Sequence, residues 1–184
     1  MRWFILLPFS QLFLILAVLV TPILPLFASK EGWLPRWLWW FQTPDEPLDG
    51  DNGFKTEHAT FKGEVTGLKQ YVNRCHWLWR NPAYGFDWQV LAYHPKPDDV
   101  LTVKGKGTLE DGPAEDNPRL VSGWLGYGGW FFARKGYAWQ LFIRHHWNAT
   151  HCTKINLGWK LWHSPGYTAH AFVFSPFGFW KAIK

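Results

Sequence analysis

Four side chains able to bind a transition metal or to move a proton lie close together in "RHHWNATHCTK", namely His145, His146, His151 and Cys152. Neighbouring residues of a β-strand point to opposite faces, so adjacent members of this group would not bind one ion together. A site would need His146, His151 and Cys152 to be joined by a distant His163 or His170. We therefore predict turn and surface histidines here, with no metal site and no cofactor.

A second set of candidate ligands is acidic, and "TPDEPLDGDNG" contains Asp45, Glu46, Asp49 and Asp51. In a calcium loop Asp49 and Asp51 would take positions 1 and 3. Gly53 would then stand at position 5, and Phe54 would replace the glycine that the sharp turn needs. The spacing argues against calcium and predicts a solvated acidic loop.

Catalytic nucleophiles leave no signature in this chain. It contains no GxSxG, and the glycines of "GWLGYGG" (123–129) match neither a P-loop nor a dinucleotide-binding turn. Cys75 and Cys152 belong to no CxxC; they are predicted buried thiols in a cytoplasmic domain, whereas a periplasmic domain would allow them to pair. We predict no catalytic residue and no enzymatic activity.

The elements that would position these groups begin with an apolar segment. Residues 3–29 carry no charge and exceed the roughly 20 residues that cross a bilayer as a helix, so we predict a single transmembrane helix at about 3–28 within an anchor of residues 1–29. A cleaved signal peptide is the alternative, but "LFA" (26–28) places a large Leu26 at the cleavage site. Basic residues flank the segment on both sides, Arg2 before it and Lys30 and Arg36 after it, so the positive-inside rule separates the two orientations only weakly. We favour a cytoplasmic C-terminal domain.

An aromatic stretch follows the apolar segment. Trp33, Trp37, Trp40 and Phe41 recur at i, i+4, i+7 and i+8 around Pro35, which suits a helix start. This spacing predicts a helix at about 33–42 that lies at the membrane interface, where tryptophan is enriched, followed by an acidic linker to residue 53. The alternative is that these tryptophans pack on the protein's own domain.

The rest of the chain, residues 54–184, is predicted to be a small antiparallel domain. Residues 66–80 show a helical period, and Asn81-Pro82 ends it. A first strand is expected near 88–93. Later apolar runs separated by turn residues predict strands at 101–106, 120–124, 129–134, 138–146, 153–162 and 169–174. The fold class is therefore α+β, an antiparallel meander of about six strands with one helix packed on it.

Charge narrows the choice of partners. The chain has a net charge of +5, but its basic residues are scattered and form no arm for nucleic acid. Tryptophan supplies 15 residues, which suits a membrane interface or a protein interface. We expect the lipid bilayer and a protein of unknown identity as partners, and no nucleic acid.

Two blocks, "LPRWLWWFQTPDEPLDGD" and "YVNRCHWLWRNPAYGF", resemble a group of small proteins of tailed bacteriophages that have an apolar N-terminus. The resemblance covers most of the chain and implies a phage origin and a bacterial host membrane, but transfers no activity. The positions that match the pattern are Trp39, Trp40, Gln42, Asp45, Trp79, Arg80, Asn81, Pro82 and Tyr84.

These features together predict a non-enzymatic binding protein, anchored by a single pass in the host inner membrane during infection. One alternative is a virion component, in the tail or ejected, that engages the membrane. Another is an enzyme acting on lipid or cell-wall material, with a site near His146 and His151.

Overall fold

The protein divides into two compact units, residues 1–91 and 92–184, in a computed structural model that describes residues 2–107, 128–147, 151–161 and 168–179. The class is α+β, with an apolar N-terminal helix in the first unit and a five-stranded antiparallel sheet in the second. This confirms the predicted class and the antiparallel meander.

The N-terminal unit is helical. Its α-helices are α1 (Arg2–Val20), α2 (Gly67–Arg80) and α3 (Tyr84–Gln89). Shorter pieces lie between them: 3₁₀ helices at Leu24–Phe27 and Arg36–Phe41 and a π-helical turn at Phe54–His58. Helix α2 occupies the segment that its period predicted. It ends at Asn81, whose backbone N–H and side-chain amide both donate to the Trp77 carbonyl, at 3.0 and 3.3 Å.

The core of this unit is built where α2 meets the segments on either side of the aromatic stretch. It contains Leu24, Leu34, Leu38, Leu48, Phe54, Ala59, Trp77 and Leu78. Helix α2 packs against α1 and against the 3₁₀ helix Leu24–Phe27. We expected the predicted helix, α2, to pack on the sheet. Its apolar residues Trp77 and Leu78 belong to the core of the N-terminal unit. A helical period predicts that a helix has an apolar face, but it does not predict which element covers that face.

The strand expected near 88–93 is wrong, because α3 covers Tyr84–Gln89 and only Tyr93 forms an isolated bridge, to Thr168. The aromatic residues of this segment are four apart, as Tyr84 and Trp88 show with ring centroids at 5.9 Å, which is a helical contact. Gly85 lies against the carbonyl oxygens of Trp39 and Gln42, so close that a Cβ would overlap both. Only glycine therefore allows α3 to approach the aromatic segment.

The second unit is a meander in which every neighbouring pair is antiparallel and the order is β1-β2-β3-β4-β5. The strands are β1 (Leu101–Gly107), β2 (Gly128–Lys135), β3 (Ala138–His146), β4 (His151–Trp159) and β5 (His170–Phe179). They match five of the predicted strands within a few residues, except that β5 extends further. The predicted strand 120–124 lies outside the described residues.

One face of the sheet is buried, and it holds polar side chains among apolar ones such as Phe131 and Phe142. Gln140 and Asn156 are both buried, and the Gln140 amide donates to Asn156 Oδ1 at 2.8 Å while its oxygen accepts the Leu161 N–H at 2.9 Å. On the opposite face Trp130 and Phe174 stay exposed, although the chain is apolar there. Alternation along the strands thus separates a buried face from an exposed one, and the two polar side chains on the buried face are hydrogen-bonded to each other.

Candidate functional site

Helix α1 has two different faces although it is apolar all round. Trp3, Ser10 and Ala17 are buried and recur every seven residues, which places them on one side, the inner face. The opposite side carries large apolar residues that are exposed. We call it the outer face of α1, and it consists of Phe4, Ile5, Phe9, Leu12, Ile15, Leu16 and Leu19. Among the described residues, α1 is the one helix long and apolar enough to cross a membrane.

The C-terminal end of α1 is held by hydrogen bonds that replace those removed by prolines. Pro22 has no N–H, so it cannot donate to the Val18 carbonyl four residues earlier. Trp79 of α2 donates to that carbonyl instead, with Nε1 at 3.1 Å. The orphaned acceptor of one helix is thereby satisfied by an indole of another.

A second carbonyl, about one turn further along, also contacts a side chain of α2 in place of a helical N–H. Pro25 leaves the Thr21 carbonyl without its helical donor, and the Cys75 thiol faces that oxygen at 3.9 Å. The Tyr71 hydroxyl donates to the Pro22 carbonyl at 2.5 Å. Since Tyr71, Cys75 and Trp79 are four residues apart, they form one column on α2 that runs antiparallel to the end of α1.

Cys75 serves this contact as a thiol. It is a free, buried cysteine, and burial raises the pKa of its thiol even though Tyr71 hydrogen-bonds to it. The neutral S–H is the form that donates to a carbonyl. The side chain of Cys152 lies outside the described residues.

The middle of α1 contacts α3 and the aromatic segment. The buried Ser10 hydroxyl donates to Asp87 Oδ1 at 2.8 Å. Phe13 stacks on Phe86 and on Phe41, with centroids at 4.2 and 4.9 Å. The inner face of α1 is therefore covered along most of its length.

The aromatic segment is a 3₁₀ helix, Arg36–Phe41, rather than the α-helix expected over 33–42. With three residues per turn, Leu38 and Phe41 fall on one side and Trp37 and Trp40 on another. Leu38 is buried and Phe41 is half-buried against Phe13, whereas Trp37 and Trp40 are exposed. Of the four residues predicted at the membrane interface, Trp33, Trp37 and Trp40 reach the surface and Phe41 packs inward.

Two residues of the sequence pattern described above, Trp39 and Gln42, hydrogen-bond to the backbone of the buried Leu34. Gln42 Oε1 accepts the Leu34 N–H at 2.8 Å, and Trp39 Nε1 donates to the Leu34 carbonyl at 2.7 Å. Gln42 is buried and also donates to the Glu46 carbonyl at 3.4 Å. These residues fix the entry and exit of the aromatic 3₁₀ helix, a structural role.

The remaining positions of the pattern have diverse surroundings. Asn81 ends α2, Tyr84 contacts Trp88, and Trp79 reaches α1 as described. Pro82 is half-buried, while Asp45 and Arg80 are exposed. Several residues of the pattern therefore make contacts at the ends of α1, α2 and α3.

The acidic linker is not solvated throughout, and the prediction for Asp49 needs correction. Asp49 accepts two hydrogen bonds from Arg74, Nε to Oδ1 and Nη2 to Oδ2, both at 2.8 Å, and one from Gln70 at 3.0 Å. Arg74 also donates to the carbonyls of Ser29 and Lys30. The buried side of α2 therefore includes this arginine.

The electrostatics of this pair follow from its burial. Burial alone would raise the pKa of Asp49, but hydrogen bonds from Arg74 and Gln70 and the nearby positive charge outweigh it, so the pKa is lowered. Asp51, by contrast, is exposed and accepts the Phe54 N–H at 2.6 Å. Arg74 thus supplies the positive charge opposite the linker's inward carboxylate.

The histidine and cysteine group gives no metal site that can be described. His145 is exposed and contacts Trp147 edge-on, with ring centroids at 5.0 Å. The strand register places His146 opposite Cys152, but both side chains and His163 lie outside the described residues. Within the described ranges, no three His, Cys, Asp or Glu side chains come together as a metal-binding group.

The chain belongs to a family of unknown function (DUF7338), whose model matches residues 1–182. No match was found among curated proteins. None was found among solved structures either. The family carries no activity over to this chain, so function has to be argued from the geometry.

Replacing Asp49 tests the buried pair. Asp49→Asn leaves the Arg74 charge without its half-buried counter-charge, and we expect it to lower the free energy of unfolding by about 1.5–3 kcal/mol. Asp45→Asn, at an exposed carboxylate, should change it by less than about 0.5 kcal/mol. Urea unfolding followed by circular dichroism measures both.

The same pair predicts a pH dependence. Because the folded pKa of Asp49 lies below its unfolded value, its contribution is present at neutral pH and is lost as the pH falls through the folded pKa, below about 4. The difference in stability between wild type and Asp49→Asn should therefore shrink on acidification. A difference that is constant with pH would contradict the assignment.

Removing the indole donor tests how α1 is held. Trp79→Phe keeps an aromatic ring but leaves the Val18 carbonyl without its donor, which should cost about 1 kcal/mol and speed amide exchange at the end of α1 about fivefold. The control is Trp37→Phe, since Trp37 is exposed and contacts Phe27 through its ring. Equal effects of the two changes on hydrogen exchange, read by mass spectrometry, would count against the role of Trp79.

Proposed function

We propose that this DUF7338 protein is a membrane-bound binding protein without catalytic activity, which attaches to lipid through the outer face of α1. The observation that carries the proposal is the exposure of that face: Ile5, Leu12 and Leu19 are 64, 66 and 71 % exposed. Apolar surface in water is unfavourable by about 25 cal/mol per Å². A bilayer removes this surface from water over the full length of the helix.

Aromatic and basic residues beside the outer face support the same partner. Trp40 contacts Phe13 and Trp79 reaches Val18, so an exposed indole lies on either side of α1. Indoles prefer the boundary between headgroups and acyl chains. Arg36 and Arg80, next to these aromatic residues in the chain, are exposed and match the negative charge of an anionic leaflet.

The binding role rests on the second unit. Four large apolar residues of one sheet face are exposed among the described residues: Trp130, Phe132, Phe172 and Phe174. The strand register aligns them in two rows across β2 to β5, which forms a continuous apolar surface. Exposed apolar surfaces of this kind are typical of protein interfaces.

The setting we propose is the host inner membrane during phage infection, with the second unit in the cytoplasm. It is supported by the phage-like "WWFQTPD" and "WLWRNPAYGF" blocks and by Lys30 and Arg36 after the apolar segment. The absence of any catalytic sequence motif supports binding over catalysis.

Charges on the outer face should abolish membrane attachment. We expect Leu12→Glu with Leu19→Glu to lower flotation with anionic vesicles at least tenfold, since each carboxylate opposes transfer into lipid. Val100→Glu is the matched control, because Val100 is 75 % exposed but belongs to the second unit. Circular dichroism checks the fold, and flotation of the double variant at the wild-type level would refute the lipid role of the outer face.

Infected cells test the setting. We expect a C-terminally tagged protein to fractionate with the inner membrane and to capture a reproducible protein partner in detergent, and a Phe172→Ser, Phe174→Ser variant to lose it. Recovery of the protein in purified virions by mass spectrometry would instead support the virion alternative. Capture that is unaffected by the double variant would remove the sheet face from the interface.

A further inference from the structure

We propose that α1 lies in the plane of one leaflet instead of crossing the bilayer, so that the N-terminus and the N-terminal unit share one side of the membrane. The inference rests on the proposed function, in which the outer face of α1 contacts lipid. It replaces the single-pass geometry, which the length of the apolar segment suggests, with a one-sided one.

The first argument is the extent of the inner-face contacts. They run from the buried Trp3 through Ser10 and Phe13 to Thr21, nearly the whole helix. A helix rises 1.5 Å per residue, so Ser10 lies about 15 Å before Val20 along the axis. If α1 crossed the bilayer, Ser10 and Phe13 would lie near its centre, and α3, which packs against them, would lie there too.

The second argument is the polarity of what would then enter the hydrocarbon. Asp87 on α3 accepts from Ser10, and Gln89 and Arg80 are exposed on the elements packed along α1. A charged side chain at the bilayer centre is strongly unfavourable. In the plane of a leaflet, all of these groups remain on the aqueous side.

The third argument is where the tryptophans lie. A spanning helix has its aromatic belts at its two ends, at the two interfaces. Here Trp3, at the first end, is buried, while Trp40 and Trp79 lie beside the helix at Phe13 and Val18. Five residues separate Phe13 from Val18, which is about 140° around the helix. Trp40, near the middle of α1, and Trp79, near its C-terminal end, therefore border the outer face on its two sides, a placement that fits a helix lying along the interface.

The partner that fits this surface is an anionic bilayer. The outer face supplies a strip of apolar side chains about 22 Å long, from Phe4 to Leu19. Arg2 at the start of α1, Arg36 in the aromatic segment and Arg80 beside Trp79 are exposed, and each can contact a headgroup phosphate while the apolar strip enters the acyl boundary.

Depth measurements at three positions of the outer face test the geometry. Nitroxide labels are placed singly on Ile5→Cys, Leu12→Cys and Leu19→Cys in a Cys152→Ser background of the full chain, bound to vesicles of phosphatidylcholine and phosphatidylglycerol. Cys75 is buried and is left in place. Oxygen and nickel accessibility then report the depth of each label. The control label, Glu64→Cys, lies on an exposed loop before α2 and should stay in water.

An in-plane helix places the three labels at one depth. A spanning helix makes the Leu12 label deeper than the other two by about 10 Å, because seven residues separate each pair. Equal depths within the acyl boundary support the inference; a deeper Leu12 label overturns it while leaving the lipid role of α1 intact. If none of the labels enters lipid and the protein does not float with vesicles, the proposed function itself fails.

Sidedness gives a second readout that does not depend on depth. In inverted inner-membrane vesicles, a membrane-impermeant maleimide should label Arg2→Cys and Glu64→Cys from the same side. Labelling from opposite sides shows a spanning helix and overturns the inference. Circular dichroism and flotation of each variant show that it is folded and bound before labelling.

Discussion

The N-terminal unit depends on how the prolines after α1 are compensated. Pro22 and Pro25 each remove a helical N–H and leave carbonyl oxygens of α1 without their donors. The column Tyr71, Cys75 and Trp79 on α2 supplies hydrogen bonds to this end of the helix. Because the donors are spaced by one helical turn, they fix α2 antiparallel to α1 and set which side of α1 is turned inward. The covered inner face and the bare outer face both follow from this contact.

A second polar contact ties the same helix to the linker. Arg74 lies beside this column, and it binds Asp49 as well as the carbonyls of Ser29 and Lys30. Helix α2 is therefore the element to which α1, the turn after it and the acidic linker are all attached. Gly85 then allows α3 to close on the aromatic 3₁₀ helix. Apolar packing around Leu34 and Trp77 fills the space that these polar contacts define.

Sequence periodicity predicted the structure of those segments whose conformation depends on their own residues. The five described strands, α2 and the apolar N-terminal helix were predictable, because alternation and helical spacing are local properties. The 3₁₀ form of Arg36–Phe41 was not, since it depends on Gln42 and Trp39 binding Leu34. Helix α3 was not predicted, and a strand was expected at 88–93 where the helix ends, because aromatic residues suit either structure; the close approach at Gly85 involves Trp39 and Gln42, more than 40 residues earlier. The inward position of Asp49 needed a partner 25 residues away.

The order in which these elements are synthesised has a consequence of its own. Helix α1 is made before α2 and α3, and its inner face is covered only when both have followed, some 70 residues after Val20. At about 5–20 residues per second, that interval lasts several seconds. During it α1 is apolar on every side and has no folded protein to pack against. The nascent α1 can therefore contact the bilayer before the unit folds. How much of its surface stays in contact with lipid is then set when α2 packs against it.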